Sequence, residues 1–234
     1  MNVSSTPPGY GVIRNDIVGL AITECQIGGQ GRALWKMLMN GSHLVGAWNC
    51  VEYVVLEPGS SVGGHTHVRT EEIYYIISGR PQMVINGKEY VFEAGDLITA
   101  PIGTHHTIRN DTNSVVEFFV VEVFPELDAT QDFAYVNVES SGGAIDLQKM
   151  MPGYWRSFTK FDLSFSATEA DGSSDCTEVL FVLEGQVSVA IGEENYRGER
   201  GLAMAIPPGI FRRLGNVGSV PASVISLRVS ATCY

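Results

Sequence analysis

Residues 59–79 read GSSVGGHTHVRTEEIYYIISG, and residues 95–110 read GDLITAPIGTHHTIRN. His65 and His67 are two positions apart, so on a strand they project from one face. Glu72 opens the β-branched and aromatic run EIYYII, which Gly79 ends. Two further runs, MVING and KEYVF, lead to Gly95-Asp96, and His106 follows within APIGTHH. His65, His67, Glu72 and His106 are side chains able to hold one divalent metal ion. A lone buried histidine is ordinarily a hydrogen-bonded core residue. Three of them with a carboxylate in an apolar interior are hard to satisfy without a cation, because burial disfavours charging the rings and the carboxylate needs a partner. Four of the five histidines of the chain fall in this region.

Around that stretch, 234 residues with 44% apolar content are enough for one large domain or two smaller ones, each with a core. No apolar run reaches membrane-spanning length, and the N-terminus lacks a basic and apolar leader pattern, so a soluble, cytoplasmic protein is expected. A net charge of −11 argues against nucleic acid as partner and leaves a small molecule. Cys25, Cys50, Cys176 and Cys233 are scattered and form no CxxC pair, which points to reduced thiols. Charged residues make up only 18% while glycine reaches 26 copies, a balance suited to short strands joined by tight turns.

In chain order, residues 1–45 hold breakers at Pro7-Pro8-Gly9 and Gly28-Gly29 and are expected as an N-terminal arm. Residues 46–125 carry β-rich runs and are expected as the metal-binding domain. Residues 126–147 lose apolar density and are expected as a linker, and residues 148–234 as a second β domain. A shift of 106 positions lays this second half on the first without a gap, placing Glu72 on Glu178, Gly79 on Gly185, Gly95 on Gly201, Pro101 on Pro207, Gly103 on Gly209 and Asn110 on Asn216. His65, His67 and His106 fall on Asp171, Ser173 and Arg212, so the copy keeps only the Glu. A guanidinium repels a cation, and the second half is expected to hold no metal, with Arg212 paired to Glu178.

The run from Gly59 to Gly79 is similar to the first cupin motif, G(X)5HXH(X)3-4E(X)6G, and Gly95 to Asn110 to the second, G(X)5PXG(X)2H(X)3N, at every defined position. The chain therefore resembles a bicupin, which implies an all-β fold of two tandem jelly-roll barrels with a short N-terminal arm. The motif spacing selects Glu72 over Glu71, which is expected to face outward, and His106 over His105. The family includes dioxygenases, decarboxylases, isomerases, cyclases and non-catalytic binders, so fold alone does not choose a reaction. Members commonly pair through sheet edges and arms, and a homodimer is expected on that ground.

Three neutral imidazoles and one carboxylate would leave a divalent ion one net positive charge and two adjacent positions for a bidentate oxygen ligand. Iron(II) is the leading expectation, with zinc, manganese, nickel or cobalt as the others. An iron(II) dioxygenase acting on a small oxygen-rich metabolite stands first; a redox-neutral isomerase, cyclase or lyase, and a sugar- or acid-binding protein, stand behind it. Glu52, on the strand before the first motif, and Tyr74, on the face of Glu72, are the candidate catalytic residues. Glu122 lies near the same pocket, and Arg109 is expected at the surface.

Overall fold

The computed structural model describes residues 11–126, 131–172 and 175–232; Pro7-Pro8-Gly9, Ser173 and Cys233 lie outside the described residues. The runs read as strands are strands. The first eleven are β1 (Ile13–Asn15), β2 (Ala21–Glu24), β3 (Arg32–Asn40), β4 (Trp48–Leu56), β5 (Ser61–Thr66), β6 (Glu71–Ser78), β7 (Gln82–Ile85), β8 (Lys88–Val91), β9 (Asp96–Ala100), β10 (His105–Arg109) and β11 (Val116–Val123). They continue as β12 (Tyr135–Asn137), β13 (Ala144–Asp146), β14 (Trp155–Leu163), β15 (Thr168–Gly172), β16 (Cys176–Glu184), β17 (Gln186–Ile191), β18 (Glu194–Glu199), β19 (Ala203–Ile206), β20 (Phe211–Asn216) and β21 (Ala222–Ser230). No helix among the described residues is long and apolar enough to cross a membrane.

All strand pairs are antiparallel, in four sheets that make two barrels. The first barrel faces the sheet β12-β9-β6-β11-β4-β3-β2 against β5-β10-β7-β8; the second faces β1-β19-β16-β21-β14-β13 against β15-β20-β17-β18. Each barrel has its own core, built on Val54, Ile76, Phe118 and Ile108 in the first and on Leu180, Val189, Met204 and Leu214 in the second. A third core lies between the barrels, where the outer faces of the two large sheets meet. Tyr53 stacks on Phe181 with centroids 5.9 Å apart, Phe119 lies 5.1 Å from Phe181, and Tyr75 lies 5.0 Å from Phe158. This explains why EIYYII is apolar without alternation. On β6, Tyr74 and Ile76 fill their own barrel while Ile73 and Tyr75 face the other, so both faces are covered.

Two expectations need revision against this arrangement. Glu71 does not face outward: it is buried on the inter-barrel face of β6, and Trp155 Nε1 donates to its Oε2 at 2.9 Å. The residues expected as an arm and a linker contain paired strands. β3 pairs along β4 and β2 along β3, extending the first large sheet, whereas β1 crosses to β19 of the second barrel. From the stretch 126–147, β12 pairs with β9 and β13 with β14, so it closes the edge of one sheet in each barrel. Short strands of three residues rest on their neighbours, and composition alone does not register them.

The repeat is visible in hydrogen bonds as well as in letters. Asn110 Nδ2 donates to the carbonyls of Leu56 and Ser114, and Asn216 Nδ2 to those of Leu163 and Val220. Gly79 and Gly185 both have positive φ, +86° and +78°, and a Cβ on either would come within 2.7 Å of the strand beginning at Val116 or Ala222 or the residue before it.

Candidate metal centre

Both sheets of the first barrel contribute to the cluster. His65 on β5 is the cross-strand partner of His106 on β10, His67 lies just past the end of β5, and Glu72 enters from β6 of the facing sheet. One donor atom from each of these four residues can be chosen so that all lie within 4.8 Å of one another. Nδ1 of each ring is already engaged: His65 with the Gly63 carbonyl at 2.9 Å, His106 with the Thr104 carbonyl at 3.2 Å, and His67 with Thr70 Oγ1 at 3.0 Å. Acceptors on Nδ1 favour the proton there and leave Nε2 as the nitrogen that can face a cation.

Glu72 Oε1 lies 3.0 Å from His67 Nε2, and Oε2 lies 3.0 Å from His106 Nε2. His67 Nε2 is buried yet makes no hydrogen bond there. Two donors about 2.1 Å from one ion and at right angles around it stand about 3.0 Å apart. The spacing, the unused nitrogen and the mixed N/O donor set all fit a divalent transition metal. Burial pushes the Glu72 carboxyl up, but the His106 and His67 rings, each 3.0 Å from one of its oxygens, outweigh it and hold the pKa at about 2. The Glu72 carboxylate raises His67, while burial lowers His65. The depressed Glu72 carboxyl and the lowered His65 are in the protonation states a cation requires, whereas Glu72 draws His67 toward a proton that a cation in the cluster would displace.

Behind His67 runs a relay. Thr70 Oγ1, which accepts from His67 Nδ1, donates to Glu122 Oε2 at 2.9 Å, and Asn49 Nδ2 donates to the same oxygen at 2.7 Å. The register shift between Glu122 and Val123 places both Asn49 and Cys50 beside Glu122. Such a carboxylate behind a ring orients it and raises its basicity. Glu122 was recognisable as a neighbour of the pocket from sequence; Thr70 and Asn49 were not. The available signal was that Glu122 and Glu72 are directly opposed on β11 and β6, which only the register supplies.

Both candidate catalytic residues face the cluster. Tyr74 is buried, with its hydroxyl 2.9 Å from Glu72 Oε2 and 3.0 Å from His106 Nε2, and burial keeps the phenol protonated well above its ordinary range. Glu52 shares the inward face of β4 with Val54; burial, then Glu122 and Glu72, push its carboxyl up to about 7. His105 is exposed beside Gly64, and Arg109 is engaged with Gln82, Glu89 and Asp111 at the barrel surface.

The equivalent position in the second barrel holds an ion pair. Arg212 is buried, with Nε and Nη2 donating to the two Glu178 oxygens at 3.0 and 2.9 Å. Ser226 Oγ donates to Glu178 at 2.5 Å, and Arg228 reaches both Glu178 and Asp171. Burial raises the Glu178 carboxyl, and these donors more than reverse it, keeping it ionised. A guanidinium fills the place of the third imidazole.

Comparison with known proteins agrees with the duplicated barrel. The cupin domain model matches residues 52–122 and 169–228, more than half of the chain and once in each barrel. An oxalate-binding protein of Thermotoga maritima is 35% identical over 94 residues, which are 40% of this chain and 78% of that protein. Among solved structures, the Ylba protein of E. coli superposes with a TM-score of 0.76 at 15% identity, covering 100% of this chain and 96% of the other. A point variant of Bacillus subtilis oxalate decarboxylase gives a TM-score of 0.71 at 12% identity, covering 97% of this chain and 78% of the other. At such identities the two structural likenesses concern the fold. With two matched domains, two motif-bearing barrels and one four-donor cluster, the chain belongs to the cupin family and is a bicupin.

Proposed function

We propose that this bicupin is a metal-dependent enzyme whose first barrel holds one divalent ion on His65, His67, Glu72 and His106 and takes a small molecule through two adjacent oxygens. The observation that carries this reading is the set of three rings with Nδ1 engaged, two of which turn Nε2 toward the Glu72 carboxylate, with one donor atom from each of the four residues within 4.8 Å of the others. The oxalate-binding relative supports a small oxygen-rich ligand. When bound, the ion supplies Lewis acidity toward the oxygens of the substrate and, if it is iron(II), a redox partner for dioxygen. Dioxygenation is the leading reaction.

The residues of the chain supply the rest. Tyr74 donates to Glu72 and fixes the plane of that carboxylate. Glu122, through Thr70, holds the His67 ring. A second, redox-neutral reading, such as enolisation or decarboxylation, is favoured by Glu52, whose carboxyl near 7 suits proton transfer at neutral pH. Metal analysis of protein purified with and without air, followed by turnover of 2-oxo acids with and without oxygen, tests both. One transition metal per chain and oxygen-dependent turnover are expected. Oxygen-independent turnover selects the second reading, and protein that neither retains nor takes up metal refutes both.

A further inference from the structure

One cation of the first barrel stands on the same inner-face row as the cluster. His65 is opposed by His106, His106 by Ile85 and Ile85 by Lys88, so the row crosses β5, β10, β7 and β8 at one level. Directly opposed residues of antiparallel strands share a face, and Ile85 and Met83 are buried in the barrel core, against which Tyr90 also packs. Lys88 therefore stands on the inner face, exposed because it opens β8 at the end of the barrel where the cluster lies. The turn before it is pinned. Asn86 and Gly87 both have positive φ, Asn86 N–H donates to the His105 carbonyl at 2.8 Å, and His105 N–H donates to Asn86 Oδ1 at 3.0 Å. The base of Lys88 is thus tied to the residue before His106. Its Cα stands two strand spacings, about 10 Å, from that of His106, and its flexible four-carbon stem can reach back over much of that gap.

Among the described residues the Lys88 ammonium pairs with no carboxylate; it lies 5.1 Å from the centroid of the Tyr90 ring. An exposed cation–π contact is weaker than a hydrogen bond to a charged oxygen, so the ring holds the ammonium without saturating it. The second barrel supplies a comparison. The 106-residue shift lays Ile85 on Ile191, Lys88 on Glu194 and Tyr90 on Tyr196, and Ile191 opposes Glu194 as Ile85 opposes Lys88. Ring, partner and register persist, while the charge reverses in the barrel that lacks the three imidazoles. A role in hairpin geometry is indifferent to that sign, whereas recognition of an anionic group beside a metal ion is not.

We infer that Lys88 is a specificity-determining residue of the first barrel and that the substrate is a dianion: a 2-oxo or 2-hydroxy acid chelated at the metal, whose far end bears a second carboxylate held by the Lys88 ammonium. This rests on the metal-site reading above. The test is calorimetric titration of manganese-loaded full-length protein, without air, with malate and 2-hydroxyglutarate and with 2-hydroxy-4-methylpentanoate and 2-hydroxy-5-methylhexanoate. Each of the latter two keeps the chelating end and chain length of its diacid and carries an isopropyl group in place of the second carboxylate. At least one diacid is expected to bind tenfold or more tightly than its partner. Lys88→Met is expected to remove most of that ratio and Lys88→Arg to retain it, both with metal content unchanged. Equal affinities within both pairs overturn the inference, as does a ratio that Lys88→Met leaves intact. Arg69→Met strips another exposed cation, two residues past His67, and is expected to leave the ratio in place; an equal loss there reduces Lys88 to a share of the general field and overturns its assignment. Failure of the protein to take up manganese sinks the metal reading and this inference with it. Full uptake with no binding of the four acids, or with binding that ignores the second carboxylate, sinks this inference alone.

Discussion

Each of the four donors is held by something other than a metal, and the quality of that support differs. His65 and His106 lean on backbone carbonyls, which substitution of a side chain does not remove, whereas His67 depends on Thr70 and Glu122. Glu122→Gln keeps the shape and removes the charge behind His67. Metal affinity is expected to fall by roughly 10- to 100-fold, as losses of outer partners do, measured by competition with a chromophoric chelator. Unchanged affinity would mean that the relay is packing only. That these four side chains converge was legible because their spacing is fixed within two short motifs. The fate of Glu71 was not, since its partner Trp155 lies 84 positions away on the other barrel. Nothing near Glu71 in the chain distinguishes a solvated carboxylate from one that meets an indole.

Among elements, β10 and β20 occupy equivalent places and have diverged at one decisive position, His106 against Arg212. The strand runs, their order and the halving of the chain were readable from apolar texture and the 106-residue repeat. The pairing of Arg212 with Glu178 followed from the same alignment, because a cation stands where a cation would otherwise bind. The additional donors from Ser226 and Arg228 did not, since β21 carries no motif of its own. Arg212→Ala leaves a buried carboxylate with part of its partners and should cost about 3 kcal/mol, near the lower end for a broken buried pair because Arg228 and Ser226 remain. Denaturant unfolding reads the loss, and metal content is expected to stay at the wild-type level. Equal metal loss here and in His106→Ala would refute assignment of the cluster to the first barrel alone.

At the scale of the whole molecule, the two barrels share a core and are expected to unfold together. Calorimetry should show one transition, and two separated ones would mean that the inter-barrel contact is weak. Trp155→Phe retains the apolar body of the side chain and strips the donor from Glu71, a buried acid whose carboxyl burial already pushes up. A loss of about 1–3 kcal/mol is expected, the range for a buried group left without its hydrogen bond. Composition hinted at two domains, but not that strands from the first 45 residues and from the stretch 126–147 would be divided between them, because three-residue strands are specified by the sheets that receive them.

That division has a consequence for how the chain is made. β1 joins the second barrel through Asn15 and Ala203, two residues separated by 188 positions. Synthesis at about 5–20 residues per second puts roughly 10–40 s between their appearance at the ribosome. During that interval the first barrel can close on its own strands, while the segment at its head stays extended and the outer face of its large sheet stays bare. A nascent chain that pauses late thus presents an unmatched strand and an apolar sheet together, the pair of surfaces that invites chaperone binding or misassembly with a neighbouring chain.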